Sequence, residues 1–365
     1  NFPMCPECEK EYHDVENRRF HAQPVACYKC GPAAWLERAD GKPVTASMFS
    51  MMDDVDAVCT LLQRGEIVAI KGIGGIHLAC DATNETAVEK LRQRKQRYHK
   101  PFALMARDIE IIEKYCLVSA KERELLQSPA APIVLLQRKD TSQNAIRLFH
   151  KLPSKAGRMP TPQELEKSVA ASVAPGQNTL GFMLPYTPLH HLILKRMERP
   201  IVLTSGNLSD EPQCINNDEA REKLGKIADY FLLHNRDIVN RIDDSVVRVL
   251  GDKLQTIRRA RGYAPSTITL PDGFKAAPHI LAMGSELKNT FCLLRDGEAI
   301  LSQHLGDLEN AAAFNAYRDT LNLYLDLFEH KPEAIAIDQH PEYLSTKLGR
   351  ELAAANNLQL YQIQH

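Results

Sequence analysis

At 365 residues the chain is long for one core, so two or three domains are expected. Its 44% hydrophobic and 25% charged residues exclude the disordered and membrane classes. A formal net charge of −1 supplies no global field for nucleic acid or an anionic membrane. No apolar run approaches the ~18 residues of a membrane span. These features predict a cytoplasmic protein with neither membrane nor nucleic-acid partners.

The first segment has no sustained apolar periodicity but carries Cys5-x2-Cys8-x18-Cys27-x2-Cys30. Two such knuckles bring four thiolates into a tetrahedron around a structural zinc ion, whereas free thiols or a redox pair are the bland reading. His13 and His21 lie between the knuckles and either could replace a cysteine; four sulfurs are the preferred set. Cys59, Cys80, Cys116, Cys214 and Cys292 are scattered singly and read as reduced.

Next, Val55, Val58, Cys59 and Leu62 recur at helical spacing, Gly65 stops the helix, and residues 67–70 form a strand. Lys71-Gly72-Ile73-Gly74-Gly75-Ile76-His77 follows directly. Its glycines would let backbone N–H groups approach a phosphate or acyl group, or would only make a tight turn. Asn84 caps a helix over 85–97 whose end is crowded by Arg92, Arg94, Lys95, Arg97 and Lys100. Such cations normally complement the helix dipole on a solvated face. Lys95, however, shares a stripe with Val88 and Leu91, where a lone ammonium is costly and an anion would be a fitting partner.

Strands are expected at 133–136, 201–204 and 246–250. The polar, proline-bearing stretch 139–177 reads as a surface insertion with one short helix near 163–169. Thr204-Ser205-Gly206-Asn207 lies just past a strand's carboxyl end, where open α/β sheets bind ligands, although a self-satisfied turn fits as well. Prolines and glycine over 264–278 mark a linker. Beyond it come strands at 280–283, 291–295 and 299–302, the hairpin dipeptide Asp296-Gly297, helices, and a strand at 358–363 whose edge further sequence would normally cover. Between the first two of these strands, the run from Gly284 to Asn289, including Lys288, is either a phosphate loop or a plain β-turn. Asp338, His340 and Tyr343 are ambiguous by themselves.

The order of these features resembles one family, the HypF-type carbamoyltransferases of NiFe-hydrogenase maturation. The resemblance rests on the cysteine motif with Arg18–Pro24, on KGIGGIHLACDA (71–82), KPFALM (100–105), LPYTPLHH (184–191), LTSGNLS (203–209), HNRDIVNRIDDSVV (234–247), RGYAP (261–265) and the stretch 287–308. It implies an α/β fold in three parts. These are a zinc finger at 1–45, a YrdC-like mixed α+β domain with a twisted open sheet at 46–266, and the start of an actin/hexokinase-like transfer domain at 279–365.

The resemblance also implies chemistry. Carbamoyl phosphate and ATP, with Mg²⁺, would give carbamoyl adenylate, whose carbamoyl group passes to the C-terminal cysteine of a HypE-type partner. Lys95 and Arg97 match the family's Lys-x-Arg element, and Ser205 and Asn207 its Ser-x-Asn element. Lys71, Gly72, Gly74, Gly75, His77 and Thr204 would wall the nucleotide cavity. Arg258, Arg261 and, in the last unit, Lys288 are further candidate phosphate contacts. Three departures accompany this. The family's acylphosphatase-like domain, first finger and most of the transfer domain do not appear, so this chain by itself should not make carbamate from carbamoyl phosphate in the family's way, and the final handover to a partner thiol should fail or be very weak. Asp210 stands where glycine is frequent. The insertion around 151–169 is long. Two rivals are a threonylcarbamoyl-adenylate synthase built on the same residues and a zinc-ribbon module binding RNA through the basic run 92–100.

Overall fold

A computed structural model describes residues 2–23, 26–49, 51–139, 168–208 and 211–364. The helix expected near 163–169, most of the insertion around 151–169, and Asp210 lie outside the described residues. In chain order the first part contains α1 (Pro6–His13), β1 (Ala34–Arg38), α2 (Asp54–Gln63), β2 (Val68–Lys71), β3 (Ile76–Asp81) and α3 (Glu85–Lys95). It continues with β4 (Ala103–Met105), α4 (Ile109–Tyr115), α5 (Ala120–Gln127), β5 (Ile133–Gln137), β6 (Thr179–Met183) and α6 (Pro188–Leu194). Last come β7 (Ile201–Ser205), α7 (Asn217–Leu224), β8 (Tyr230–His234), β9 (Val246–Leu250) and β10 (Lys253–Arg258).

The strands form one mixed ten-stranded sheet in the order β1-β8-β2-β3-β7-β4-β6-β5-β9-β10. Both faces are apolar, which is why its central strands read as continuous hydrophobic runs. Ile67, Ala69, Ile76, Leu78 and Val202 face α3, α4, α5 and α7. Val68, Ile70, Ala79, Ile201 and Leu203 face α2 and α6. Alternation along β3 and β7 therefore assigns His77 and Ser205 to the α2/α6 side, and the two residues are direct cross-strand partners.

Two expectations about the first part change. Residues 34–38, assigned to the finger segment, are a strand of the central sheet, because Leu36 packs into its core beside α2. The end of the insertion is core and not surface. Val169 and Val173 are buried, Phe102 N–H donates to Val173 O at 2.9 Å, and the Glu85 carboxylate accepts from the N–H groups of Ala171 and Ser172 at 2.7 and 3.0 Å.

A second sheet takes the order β11 (Ile268–Thr269), β14 (Glu298–Leu301), β13 (Cys292–Arg295), β12 (Ile280–Ala282), β15 (Ala334–Asp338), β16 (Gln359–Ile363), backed by α8 (Ala311–Leu327) and α9 (Leu344–Asn356). The Asp296-Gly297 turn has φ of 52° and 77°, the left-handed pair that a two-residue hairpin demands. The expected linker is more than a tether, since β11 pairs with β14 and extends this sheet. The two parts touch: Gln303 Nε2 donates to Asn240 Oδ1 and Arg241 O, both at 3.1 Å, and His304 Nδ1 lies 2.9 Å from Asp243 Oδ2.

One carboxylate ties α3 to the sheet. Asp229 accepts from Ile67 N–H (2.9 Å), Lys90 Nζ (2.9 Å) and Arg94 Nη1 (2.8 Å). Burial pushes this carboxyl up, but the N–H of Ile67 and the two cations outweigh it and hold it below its ordinary value. A depressed carboxylate stabilises the fold above the unfolded value, ~3.9, and that contribution is lost as pH falls through the folded value. Asp229→Ala should therefore cost about 2–3 kcal/mol at neutral pH, with the gap to wild type closing below about pH 4 in urea titrations.

Candidate functional site

The finger's sulfurs are arranged for a tetrahedral ion. Cys5–Cys27, Cys27–Cys30 and Cys30–Cys8 are 3.7, 3.8 and 3.6 Å apart, and all four lie within 4.8 Å of one another. Zn–S bonds of ~2.3 Å give tetrahedral edges of about 3.8 Å, so the donor set fits structural zinc. Pro6 at the first turn of α1 and the Cys27–Gly31 turn present the two pairs. Backbone hydrogen bonding around Cys27 draws the Cys30 thiol down to about 6, which favours the ligating thiolate. Among the described residues the cluster comprises these four cysteines alone. His13 and His21 belong instead to an aromatic group in which Tyr12 and His21 stack at 4.8 Å.

The second centre sits where α3 ends against the end of β7. Asn84 caps α3 through Ala87 N–H, and Gln96, in the left-handed conformation (φ 53°), stops the helix right after Lys95. Lys95 is 3% exposed, and its ammonium donates to Ser205 O (2.7 Å), Asn207 O (2.7 Å) and Asn207 Oδ1 (2.6 Å). Ser205 Oγ donates to the same Asn207 Oδ1 at 2.7 Å, and Asn207 Nδ2 donates to Glu211 O at 2.6 Å. Carbonyl oxygens thus hold the buried ammonium at the strand end. Burial first, then the nearby Arg97, brings Lys95 down to about 7. Burial, then Arg92 and Arg258, brings Arg97 down to about 10. Lys95, Arg97 and Arg258 thus form one cationic neighbourhood beside Ser205 and Asn207, an arrangement suited to phosphate oxygens.

Other candidates are distributed differently. Lys71 belongs to β2 and donates to His234 O at 3.1 Å, on the sheet face opposite His77. Gly72 N–H closes the hairpin onto Gly75 O at 2.8 Å, and a Cβ on Gly74 or Gly75 would collide with Ile242 or Gln213. The glycines serve close packing, since none of the three has positive φ. Thr204 is buried on the face opposite Ser205. Arg261 does not join the cationic cluster: its nitrogens go to Asp244 Oδ1 (2.9 Å), Ala130 O (2.9 Å) and Ala131 O (2.8 Å), and its guanidinium lies 3.4 Å from the Tyr186 ring centroid. The basic run 92–100 is also largely engaged. Arg92 donates to Arg97 O, Lys100 O, Val173 O and Ser172 O, while Arg94 reaches Asp229. Lys288 is exposed at the rim of a cleft of about 360 Å³, which Gly284, Asn289 and Asp338 also line.

Sequence reasoning named His77 and Arg261 but missed the buried group they share with Asp244, Tyr186 and His190 on the α2/α6 face. His77 Nε2 lies 3.5 Å from Asp244 Oδ2, Arg261 holds the other oxygen, and the Tyr186 and His190 rings meet edge-on at 4.6 Å. The doubled Asp243-Asp244 and His190-His191 were the available signals.

Comparison with known proteins agrees with this layout. Residues 60–260 match the Sua5/YciO/YrdC family model, described as telomere recombination; residues 4–37 match the HypF finger and 275–365 the HypF Kae1-like domain. The chain is 45% identical over 364 residues to carbamoyltransferase HypF of Rhodobacter capsulatus, covering all of itself but 44% of that protein. Two solved structures are similar over the whole chain. Full-length HypF in its phosphate- and nucleotide-bound form has a TM-score of 0.81 at 45% identity, with 43% of that chain covered. HypF of T. kodakarensis has a TM-score of 0.82 at 38% identity, also with 43% covered. The chain belongs to the Sua5/YciO/YrdC family and, through the HypF modules on either side, to its HypF group. It spans about half the length of the curated relatives it matches. The expected fold class, an α/β protein with a finger, a YrdC-like sheet and part of an actin/hexokinase-like domain, is the one found, the last part being the one that matches as Kae1-like. No helix among the described residues is long and apolar enough to cross a membrane.

Cys8→Ser should lower bound zinc from one equivalent to under about a tenth, read by a chromogenic chelator after thiol modification, while the ten-stranded core keeps its far-ultraviolet signal.

Proposed function

We propose that the chain forms carbamoyl adenylate from carbamate and ATP at the Lys95–Ser205–Asn207 centre. The observation that carries this is the buried ammonium that joins the end of α3 to the carboxyl end of β7 with two arginines alongside. A carbamate oxygen attacks the α-phosphorus, the bond to the β-phosphate oxygen breaks, and pyrophosphate leaves. Lys95, Arg97 and Arg258 hold the phosphate charge, and Ser205 and Asn207 orient the α-phosphate. Mg²⁺, bound with the triphosphate, would supply positive charge against the pyrophosphate, beside that of Lys95, Arg97 and Arg258.

In the wider reaction, carbamoyl phosphate is the source of the carbamate. A HypE-type protein accepts the carbamoyl group on its C-terminal cysteine as the precursor of the hydrogenase cyanide ligands, in the cytoplasm. The finger (1–45), adenylation (46–266) and transfer (279–365) segments are the three working units. Lys288 and the cleft beside it serve the last of them.

Lys95→Met or Arg97→Ala should reduce ATP–pyrophosphate exchange, with ammonium carbamate as acyl donor, at least about 100-fold without loss of secondary structure. Unchanged exchange in both variants removes them from the mechanism. Protonation offers a second check. Lys95 titrates at about 7 without nucleotide, and a bound polyphosphate favours its charged form, so ATP binding at pH 8 should take up close to one proton. Calorimetry in buffers of differing ionisation enthalpy reads this uptake, which should vanish in Lys95→Met.

A further inference from the structure

The proposed adenylation centre has a buried neighbour across β3 and β7 from Ser205. His190 is 2% exposed and His77 5% exposed, and three of their ring nitrogens, both of His190 and Nδ1 of His77, have no hydrogen-bond partner. Buried polar atoms are nearly always paired, so among the described residues these orphans call for a polar partner, whether a water or a ligand. These orphans lie close to the reaction. His77 is the direct cross-strand partner of Ser205, which places the two side chains on one face of the sheet about 5 Å apart at Cβ. His190 approaches from α6 on that same face, its ring edge-on to Tyr186.

The group's charge is balanced internally. Asp244 is spent on Arg261 at 2.9 Å and on His77 at 3.5 Å, so neither a strong anion nor a strong cation is invited. Burial and the proximity of His77 bring His190 down to about 3, so its imidazole is neutral at physiological pH. A neutral imidazole presents one N–H donor and one bare acceptor nitrogen.

Resting on the adenylation reading, we propose that His190, backed by His77 and Tyr186, forms the subsite that receives the amino end of carbamate and selects an unsubstituted –NH2. The ligand's N–H donates to the bare imidazole nitrogen, while its carboxylate points past Ser205 toward Lys95 and the α-phosphate. An N-alkyl group would have to fit against the Tyr186 ring and the Asp244–Arg261 pair, which are fixed by hydrogen bonds to Ala130 and Ala131. This closes the site to amino-acid-derived carbamates such as N-carboxythreonine.

The test supplies the chain with ATP and one of three mixtures: bicarbonate with ammonia, with methylamine or with L-threonine. Adenylates are identified by mass, and fluorescent ATP-analogue binding is measured in parallel. Wild type should form carbamoyl adenylate with at least about a 50-fold preference over the N-methyl product, and no threonylcarbamoyl adenylate. His190→Ala should raise the KM for carbamate about tenfold or more and narrow the preference to within about fivefold, with analogue affinity unchanged within twofold. His190→Gln, which keeps an acceptor, should recover much of the KM; His190→Leu, which fills the space without one, takes the place of His190→Ala if that variant fails to bind the analogue. Wild-type turnover with unchanged KM and preference in His190→Ala or His190→Leu overturns the subsite while leaving the adenylation reading intact. A wild-type chain that binds the analogue but forms no carbamoyl adenylate overturns the adenylation reading itself.

Discussion

The Lys95 ammonium is the constraint around which the centre is organised. Four methylenes carry it from an apolar helix stripe, beside Val88 and Leu91, to a cluster of carbonyl oxygens at a strand end. For the reach to succeed, α3 must stop at that residue, and the left-handed Gln96 ensures it. With the chain reversed, Arg97 N–H returns to Arg92 O at 3.0 Å and Arg97 is held beside Lys95. Arg92 then buttresses the corner, packed over Phe102 at 4.5 Å and bonded to carbonyls of residues 97, 100, 172 and 173. Three cations can gather there because the carboxyl end of α3 and these carbonyls supply partial negative charge. The corner thus gathers cations that a polyphosphate would complement.

Much of this was legible in the sequence because it is local. The Asn84 cap, the Val88–Leu91–Lys95 stripe, the strand before Ser205 and the Asp296-Gly297 hairpin each depend on residues within one or two turns of one another. What was missed depends on distant pairing. β1 joins the central sheet because Leu36 finds the core beside α2, and nothing near Leu36 in the chain announces it. The 264–278 stretch reads as a linker from its prolines, yet two of its residues pair with β14. Residues 169–174 look polar by context but pack under Phe102 and α3. The glycines after β2 suggested a phosphate cradle, whereas their missing side chains make room for Ile242 and Gln213, which only the folded molecule brings there.

Arg261 shows the same limit at a single side chain. An arginine after a strand in a nucleotide-binding protein invites a phosphate contact, but its surroundings determine its use. Asp244, two backbone carbonyls and the Tyr186 face engage the whole guanidinium, so it fixes the walls of the histidine pocket. Arg258 donates to Asp244 O at 3.4 Å and lies near enough to Asp243 to help hold that carboxyl low, and it is less tightly engaged than Arg261.

The segment 240–244 connects these observations. Within five residues it contacts the C-terminal unit through Asn240, Arg241 and Asp243, the loop after Asn207 through Arg241 Nε to Gln213 O at 2.6 Å, the glycine hairpin through Ile242 N–H to Gly74 O at 3.0 Å, and His77 through Asp244. Gln303 is in turn held by the Tyr324 hydroxyl at 2.6 Å from within the core of the second sheet. A shift in the C-terminal unit would therefore reach the hairpin and His77 through direct hydrogen bonds rather than through a flexible joint. The Arg261–Asp244 pair opposes that movement, because it anchors the segment to residues 130 and 131 just before β5. The proposed adenylation centre is thus braced from two directions, one belonging to its own sheet and the other to the C-terminal unit.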